Sequence, residues 1–118
     1  MAAFTAGDIV IAEWRGDALP KEPNKLRPAV VIEDDALFGP DYPNVILVQL
    51  TEDVGLAIQG LMEPIEPSPE NGRTKRCYAL APFAALTSAQ RLRATRSRIT
   101  PDRLARIRRQ VAEAIGLG

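Results

Sequence analysis

Hydrophobic positions fall into short β-like runs over the first hundred residues and then change to helical spacing. Residues 4–14, with β-branched Ile9, Val10 and Ile11 behind a Gly7-Asp8 turn, predict a first strand. Residues 27–32 predict a second, built on Ala29-Val30-Val31-Ile32, with Pro28 confined to a strand start or an edge because it has no N–H for the ladder. Residues 45–50 are apolar almost throughout and predict a third strand buried on both faces. A short strand is expected over 61–65. A longer one is expected over 76–86, where Pro82 marks an edge or a bulge, and an alternating one over 93–99. Residues 52–60 read as a short helical turn closed by Gly60, and residues 87–92 as one turn capped by Thr87 or Ser88. Loop chemistry fills the gaps. Residues 15–25 hold a Gly, two Pro and an Asn, a length at which an irregular loop is usually functional, and Pro67-Ser68-Pro69-Glu70-Asn71-Gly72 is a turn signal.

The clearest element is C-terminal. Thr100 suits a helix N-cap, Pro101 the first helical position and Asp102 the positive end of the macrodipole. Leu104, Ile107, Val111 and Ile115 recur on one stripe, and Gly116 ends it. Arg103, Arg106, Arg108 and Arg109 occupy the remaining surface, as a solvated face would. Short strands followed by one amphipathic helix predict a mainly β fold: a small β-barrel with the helix packed across it, one domain spanning 1–118.

Composition narrows the chemistry. At 118 residues, 46% hydrophobic and 25% charged, the chain suits a folded globular domain, with no run long enough for a membrane span and no basic leader resembling a secretory signal. Cys77 is the single cysteine, so no internal disulfide can form, consistent with a reducing cytoplasm. The absence of histidine rules out a Ser-His-Asp triad, a Cys-His dyad and a His-based zinc site. Acid–base chemistry must then use Asp, Glu, Lys, Arg, Tyr or Cys, or a bound water or cofactor. No glycine-rich nucleotide-binding motif is present.

Charge is unevenly divided. Residues 1–70 carry 4 basic and 13 acidic side chains, net −9, whereas residues 71–118 carry 11 basic and 2 acidic, net +9. Such a split suits a basic surface that meets a polyanion or an acidic partner; it equally suits two halves that complement each other in the fold.

Three segments resemble the MazF/PemK toxins. Gly7-Asp8-Ile9-Val10 is similar to the Gly-Asp-apolar opening of that family. Glu22 followed by Arg27-Pro28-Ala29-Val30-Val31-Ile32 resembles its Glu, Arg-Pro and valine run, and Val48-Gln49-Leu50-Thr51 its strand ending in a threonine. The small residue Cys77, a strand, Gln90-Arg91-Leu92 and a terminal helix follow in the same order. The resemblance implies an SH3-like barrel that dimerises, and sequence-selective cleavage of single-stranded RNA without a metal or other cofactor, leaving a cyclic phosphate and a 5′-hydroxyl. It implies inhibition by a cognate antitoxin and a cytoplasmic site of action. Carried over residue by residue, Arg27 matches the arginine that stabilises the phosphate and Thr51 the hydroxyl beside it. Lys21, Glu22 and Lys25 of the long loop, with Arg73, Lys75 and Arg76 before the fifth strand, are the expected RNA-binding groups.

A fork of guanidinium donors suits phosphate, since it binds two oxygens at once and keeps its charge. Taken alone, Arg27 also reads as a surface arginine, Thr51 as the cap of the following turn, Cys77 as a small buried residue and Trp14 as a core or dimer contact. The chain departs from the family where an acid-Gln pair and an arginine are usual: Pro82, Phe83 and Ala85 stand there, and Leu80 and Pro82 cannot move protons. Two classes of function follow. One is an RNA-cleaving toxin that uses Arg27 and Thr51. The other is a barrel that has lost catalysis and acts by binding a protein partner, as the related gyrase-poisoning toxins do, or nucleic acid.

Overall fold

The computed structural model describes residues 4–13, 26–38, 41–53, 55, 57–67 and 75–117. Among these residues, six antiparallel strands form one sheet: β1 Asp8–Glu13, β2 Leu26–Val31, β3 Asn44–Thr51, β4 Met62–Ile65, β5 Cys77–Ser88 and β6 Leu92–Arg98. A 3₁₀ turn, Ala89–Arg91, links the last two, and an α-helix, α1 Pro101–Ala114, follows β6. The order across the sheet is β4-β5-β3-β2-β1-β6.

The expected barrel does not close. Closure requires hydrogen bonds between the two edge strands. Here β6 pairs only with β1, and β4 is four residues long and pairs only with the first part of β5. The β3–β5 ladder is instead interrupted by a register shift within β5. Val48 lies opposite Ala84 and Leu50 opposite Ala79, so β5 contains residues with no counterpart on β3, and Pro82 sits among them. The missing N–H of a proline costs least at such a bulge, which is where the sequence puts it.

Alternation divides the sheet into two faces. On one, Ile9, Val30, Val48, Leu50, Ile65, Cys77 and Ile99 form the larger core with Ile107 of α1, and Leu104 and Val111 close over it. Each such side chain stabilises the fold by about 1.5–3 kcal/mol when fully buried. Ile115 does not join this stripe: it is the C-cap, has left helical geometry, and is 68% exposed. The other face holds Val10, Ala12, Ala29, Val31, Val45, Leu47 and Leu92. The third strand is buried on both faces as its composition predicts.

Local signals behave as elementary chemistry requires. The Thr100 hydroxyl accepts from Arg103 N at 3.3 Å, with Pro101 next to it at the start of α1. Ser88 caps the 3₁₀ turn. Gly116 takes φ +91, the left-handed geometry that ends a helix most cheaply with glycine. The helical turn expected over 52–60 does not form among the described residues: Thr51 and Asp53 use their side chains to make a non-helical turn instead.

The helix arginines correct a second expectation. Arg103 and Arg106 do not simply face solvent. Both bind the carboxylate of Glu63, which β4 buries to 4% exposure, with Arg103 Nη1 at 3.0 Å and Arg106 Nε at 2.8 Å. Arg103 also donates to the carbonyl of Pro64. Arg108 donates to the carbonyls of Ile32 at 2.8 Å and Glu33 at 2.6 Å. The Glu63 hydrogen bond holds the Arg106 guanidinium above its usual pKa. A buried carboxylate needs such partners, and α1 supplies them. No helix among the described residues is long and apolar enough to cross a membrane.

Candidate functional site

The candidate site lies on the sheet face opposite α1. Strands β2 and β3 pair with Ala29 opposite Gln49, Val30 opposite Val48 and Val31 opposite Leu47. Continuing that register brings Arg27 opposite Thr51. Arg27 lies across from Ala12 on β1, and Thr51 across from Tyr78 on β5. Directly opposed residues on antiparallel strands put their side chains on the same face, with Cβ atoms about 5 Å apart. One row across the sheet therefore reads Ala12, Arg27, Thr51, Tyr78 and, on β4, Pro64. The 24 residues that separate Arg27 from Thr51 in the chain vanish in the pairing.

Each member of the row is held by its strand. Arg27 is half-buried next to Pro28, whose ring suits the first residues of β2. Thr51 ends β3 and is 8% exposed. Its Oγ1 accepts the N–H of Asp53 at 3.0 Å, and Asp53 Oδ1 accepts the N–H of Gly55 at 2.8 Å. The two readings of Thr51 are thus compatible: the oxygen caps a turn while the hydroxyl proton stays available to a ligand oxygen.

Two members escape sequence reasoning. Gln49, two residues before Thr51 on the same face, is 2% exposed, and its Oε1 has no hydrogen-bond partner. The signal for it was a lone amide inside the apolar run of β3. Tyr78 had no signal, because an aromatic residue is ordinary in a strand.

Arg76, exposed just before β5, bonds through Nε to Glu66 Oε2 at 2.6 Å. That bond, more than its position against Tyr78, holds the guanidinium above its usual pKa; in return it holds the Glu66 carboxyl below the usual range. Lys75 is exposed beside Arg76. Lys21, Glu22, Lys25 and Arg73, and also Trp14, lie outside the described residues. Cys77 is fully buried in the helix-side core, as a small apolar residue would be. Among the described residues no three His, Cys, Asp or Glu side chains are grouped to hold a metal ion.

Comparison at the level of families matches residues 5–115 to the PemK-like, MazF-like toxins of type II toxin–antitoxin systems. The chain belongs to this family. Solved structures of the same fold include MazF from Deinococcus radiodurans, 18% identical with a TM-score of 0.75, covering 98% of this chain and 99% of that one. Another is the toxin MazF-mt6 of Mycobacterium tuberculosis, 14% identical with a TM-score of 0.72, covering 94% of this chain and 98% of that one. A third is described as an endoribonuclease in complex with its cognate antitoxin from a mycobacterial species, 18% identical with a TM-score of 0.71, covering 98% of both chains. Comparison with curated protein sequences finds no match. At these identities the MazF structures speak for the fold, and the chemistry must be argued from this chain's own row of residues.

Proposed function

We propose that this MazF/PemK-family toxin is an endoribonuclease that cleaves single-stranded RNA at selected sequences in the cytoplasm, without a metal, using Arg27 and Thr51. The observation that supports the reading is the β2–β3 register, Ala29 opposite Gln49, which extended by two residues along both strands brings Arg27 across from Thr51 on one face. A guanidinium and a free hydroxyl proton, held by strands and not by loops, are donors aimed at a phosphate as it takes on charge. Preorganised donors of this kind are worth roughly 2.7–4 kcal/mol each in barrier height. The substrate's own 2′-hydroxyl supplies the nucleophile, so the protein needs neither histidine nor metal. Lys21, Glu22, Lys25, Arg73, Lys75 and Arg76 bind the flanking nucleotides. A cognate antitoxin with an acidic segment competes for the same basic groups, and the toxin works as a homodimer.

Incubation of the purified protein with a long RNA in EDTA, followed by mapping of the fragment ends, tests this. Cleavage in EDTA with 5′-hydroxyl ends is expected. A requirement for added magnesium, or 5′-phosphate ends, overturns the mechanism. RNA binding with no cleavage would move the chain to the class of toxins that act by binding alone.

A further inference from the structure

Cleavage by an internal 2′-hydroxyl needs two proton movements, one from the attacking oxygen and one to the departing 5′-oxygen. Arg27 and Thr51 can hold the phosphate, and a phenol, whose ordinary pKa is about 10, gives up a proton to the departing oxygen more readily than a guanidinium or an aliphatic hydroxyl. Leu80 and Pro82, further along β5, carry no transferable proton. Of the row Ala12, Arg27, Thr51, Tyr78 and Pro64, only Tyr78 bears a phenolic proton.

The geometry points to Tyr78 as the proton donor to the leaving 5′-oxygen, a role that rests on the ribonuclease reading above. Tyr78 is paired with Thr51 in the β3–β5 register, so its side chain rises from the same face as the proposed phosphate donors. It is half-buried, which limits competition from water. Arg76 lies two residues earlier, just before β5, with its guanidinium anchored to Glu66. Glu66 is bonded to Arg76, which holds its carboxyl below the usual range.

The step balances as follows. The 2′-oxygen forms a bond to phosphorus while the bond from phosphorus to the 5′-oxygen breaks. The 2′-proton passes to water, and the Tyr78 proton passes to the departing 5′-oxygen. The phenolate left beside Arg76 regains a proton from water. No electron changes hands, and the products are a 2′,3′-cyclic phosphate and a 5′-hydroxyl.

The test compares two oligonucleotides carrying one mapped cleavage site, one with the natural bridging 5′-oxygen and one with sulfur in its place. Sulfur leaves without protonation, so it bypasses a proton donor. For Tyr78→Phe we expect single-turnover cleavage of the oxygen substrate to fall about 10²- to 10³-fold, the range general acid catalysis supplies. The sulfur substrate should be cut at close to the wild-type rate, and affinity for an uncleavable 2′-deoxy analogue should be unchanged. Equal slowing of both substrates makes Tyr78 a positioning residue and overturns the proposal, as does a Tyr78→Phe protein that cuts the oxygen substrate normally. A wild-type protein that cuts neither substrate overturns the ribonuclease reading itself, and this role with it.

Discussion

The two faces of the sheet treat their polar side chains in opposite ways. On the helix side, Glu63 is buried and surrounded: Arg103 and Arg106 bind it within 3.0 Å, and Gln110 Nε2 reaches it at 3.5 Å. On the open side, Gln49 is equally buried, yet its amide oxygen has no partner, and Thr51 spends its oxygen on a turn while its hydroxyl proton remains free. The first arrangement ties α1 to β4 and has little bonding capacity left, apart from the Gln110 oxygen. The second keeps donors and acceptors in reserve within one row of strands. A buried polar group without a partner costs roughly 1–3 kcal/mol, which a fold tolerates most readily where a ligand repays it. The contrast separates a structural cluster from a candidate site more sharply than the number of charges in each.

Four experiments bear on that contrast. Arg27→Ala should abolish RNA cleavage, a fall on the order of 10³-fold in single-turnover rate, while the melting temperature stays near wild type. A folded Arg27→Ala protein with normal cleavage would remove the open face from the chemistry. On the helix side, Ile107→Ala should destabilise the fold by about 3 kcal/mol in urea titration, because it opens a cavity under α1 where Ile107 is fully buried. A loss below about 1 kcal/mol would mean that α1 contributes little to the core.

Glu63→Gln keeps the shape but weakens the charge-assisted bonds to both arginines. It should cost about 1–2 kcal/mol, discounted because Arg103 and Arg106 are partly in water, and should leave the cleavage rate per folded molecule unchanged. A cleavage defect without loss of stability would show that the two faces are not independent. The smallest effect is expected at Glu66. Its pKa is lowered by Arg76, so the stability it contributes is present above the ordinary carboxylate value and lost as pH falls through the lowered one. The pair is exposed to solvent, so thermal unfolding of wild type and Glu66→Gln between pH 7 and pH 3 should coincide in moderate salt. A clear gap opening above about pH 4 would show that the pair is stronger than its exposure implies.

The charge split takes on a different meaning once these contacts are known. Of the basic side chains after residue 70, Arg103, Arg106 and Arg108 are engaged by β4 and by the residues just after β2, whereas Arg76, paired with Glu66, and Lys75 are exposed beside β5. The reading of two complementary halves holds in part, since Arg103 and Arg106 bind Glu63 and Arg76 binds Glu66, all across the charge split. Charge reversal at Lys75 and Arg76 should therefore weaken RNA binding more than reversal at Arg103 and Arg106, whose first effect should be on stability.

The sequence was sufficient for the strands, the C-terminal helix and their order, though not for residues 52–60, where the expected helical turn does not form among the described residues. Periodicity of two and of 3.6, the Thr100-Pro101 cap, Gly116 and the bulge at Pro82 all act through neighbours in the chain, so they can be read without knowing the fold. Arg27 and Thr51 were also visible as candidates, though only through resemblance, since an arginine and a threonine at strand ends are common for purely structural reasons. Tertiary structure decided the rest. It left the sheet open, because closure depends on whether two distant edges meet. It turned Arg103 and Arg106 from a solvated face into the partners of Glu63, because a carboxylate on a short strand gives no local sign that a helix forty residues away will cover it. It also set Tyr78 opposite Thr51 and Gln49 opposite Ala29, through a strand register that depends on which residues can be buried together and not on any pattern along the chain.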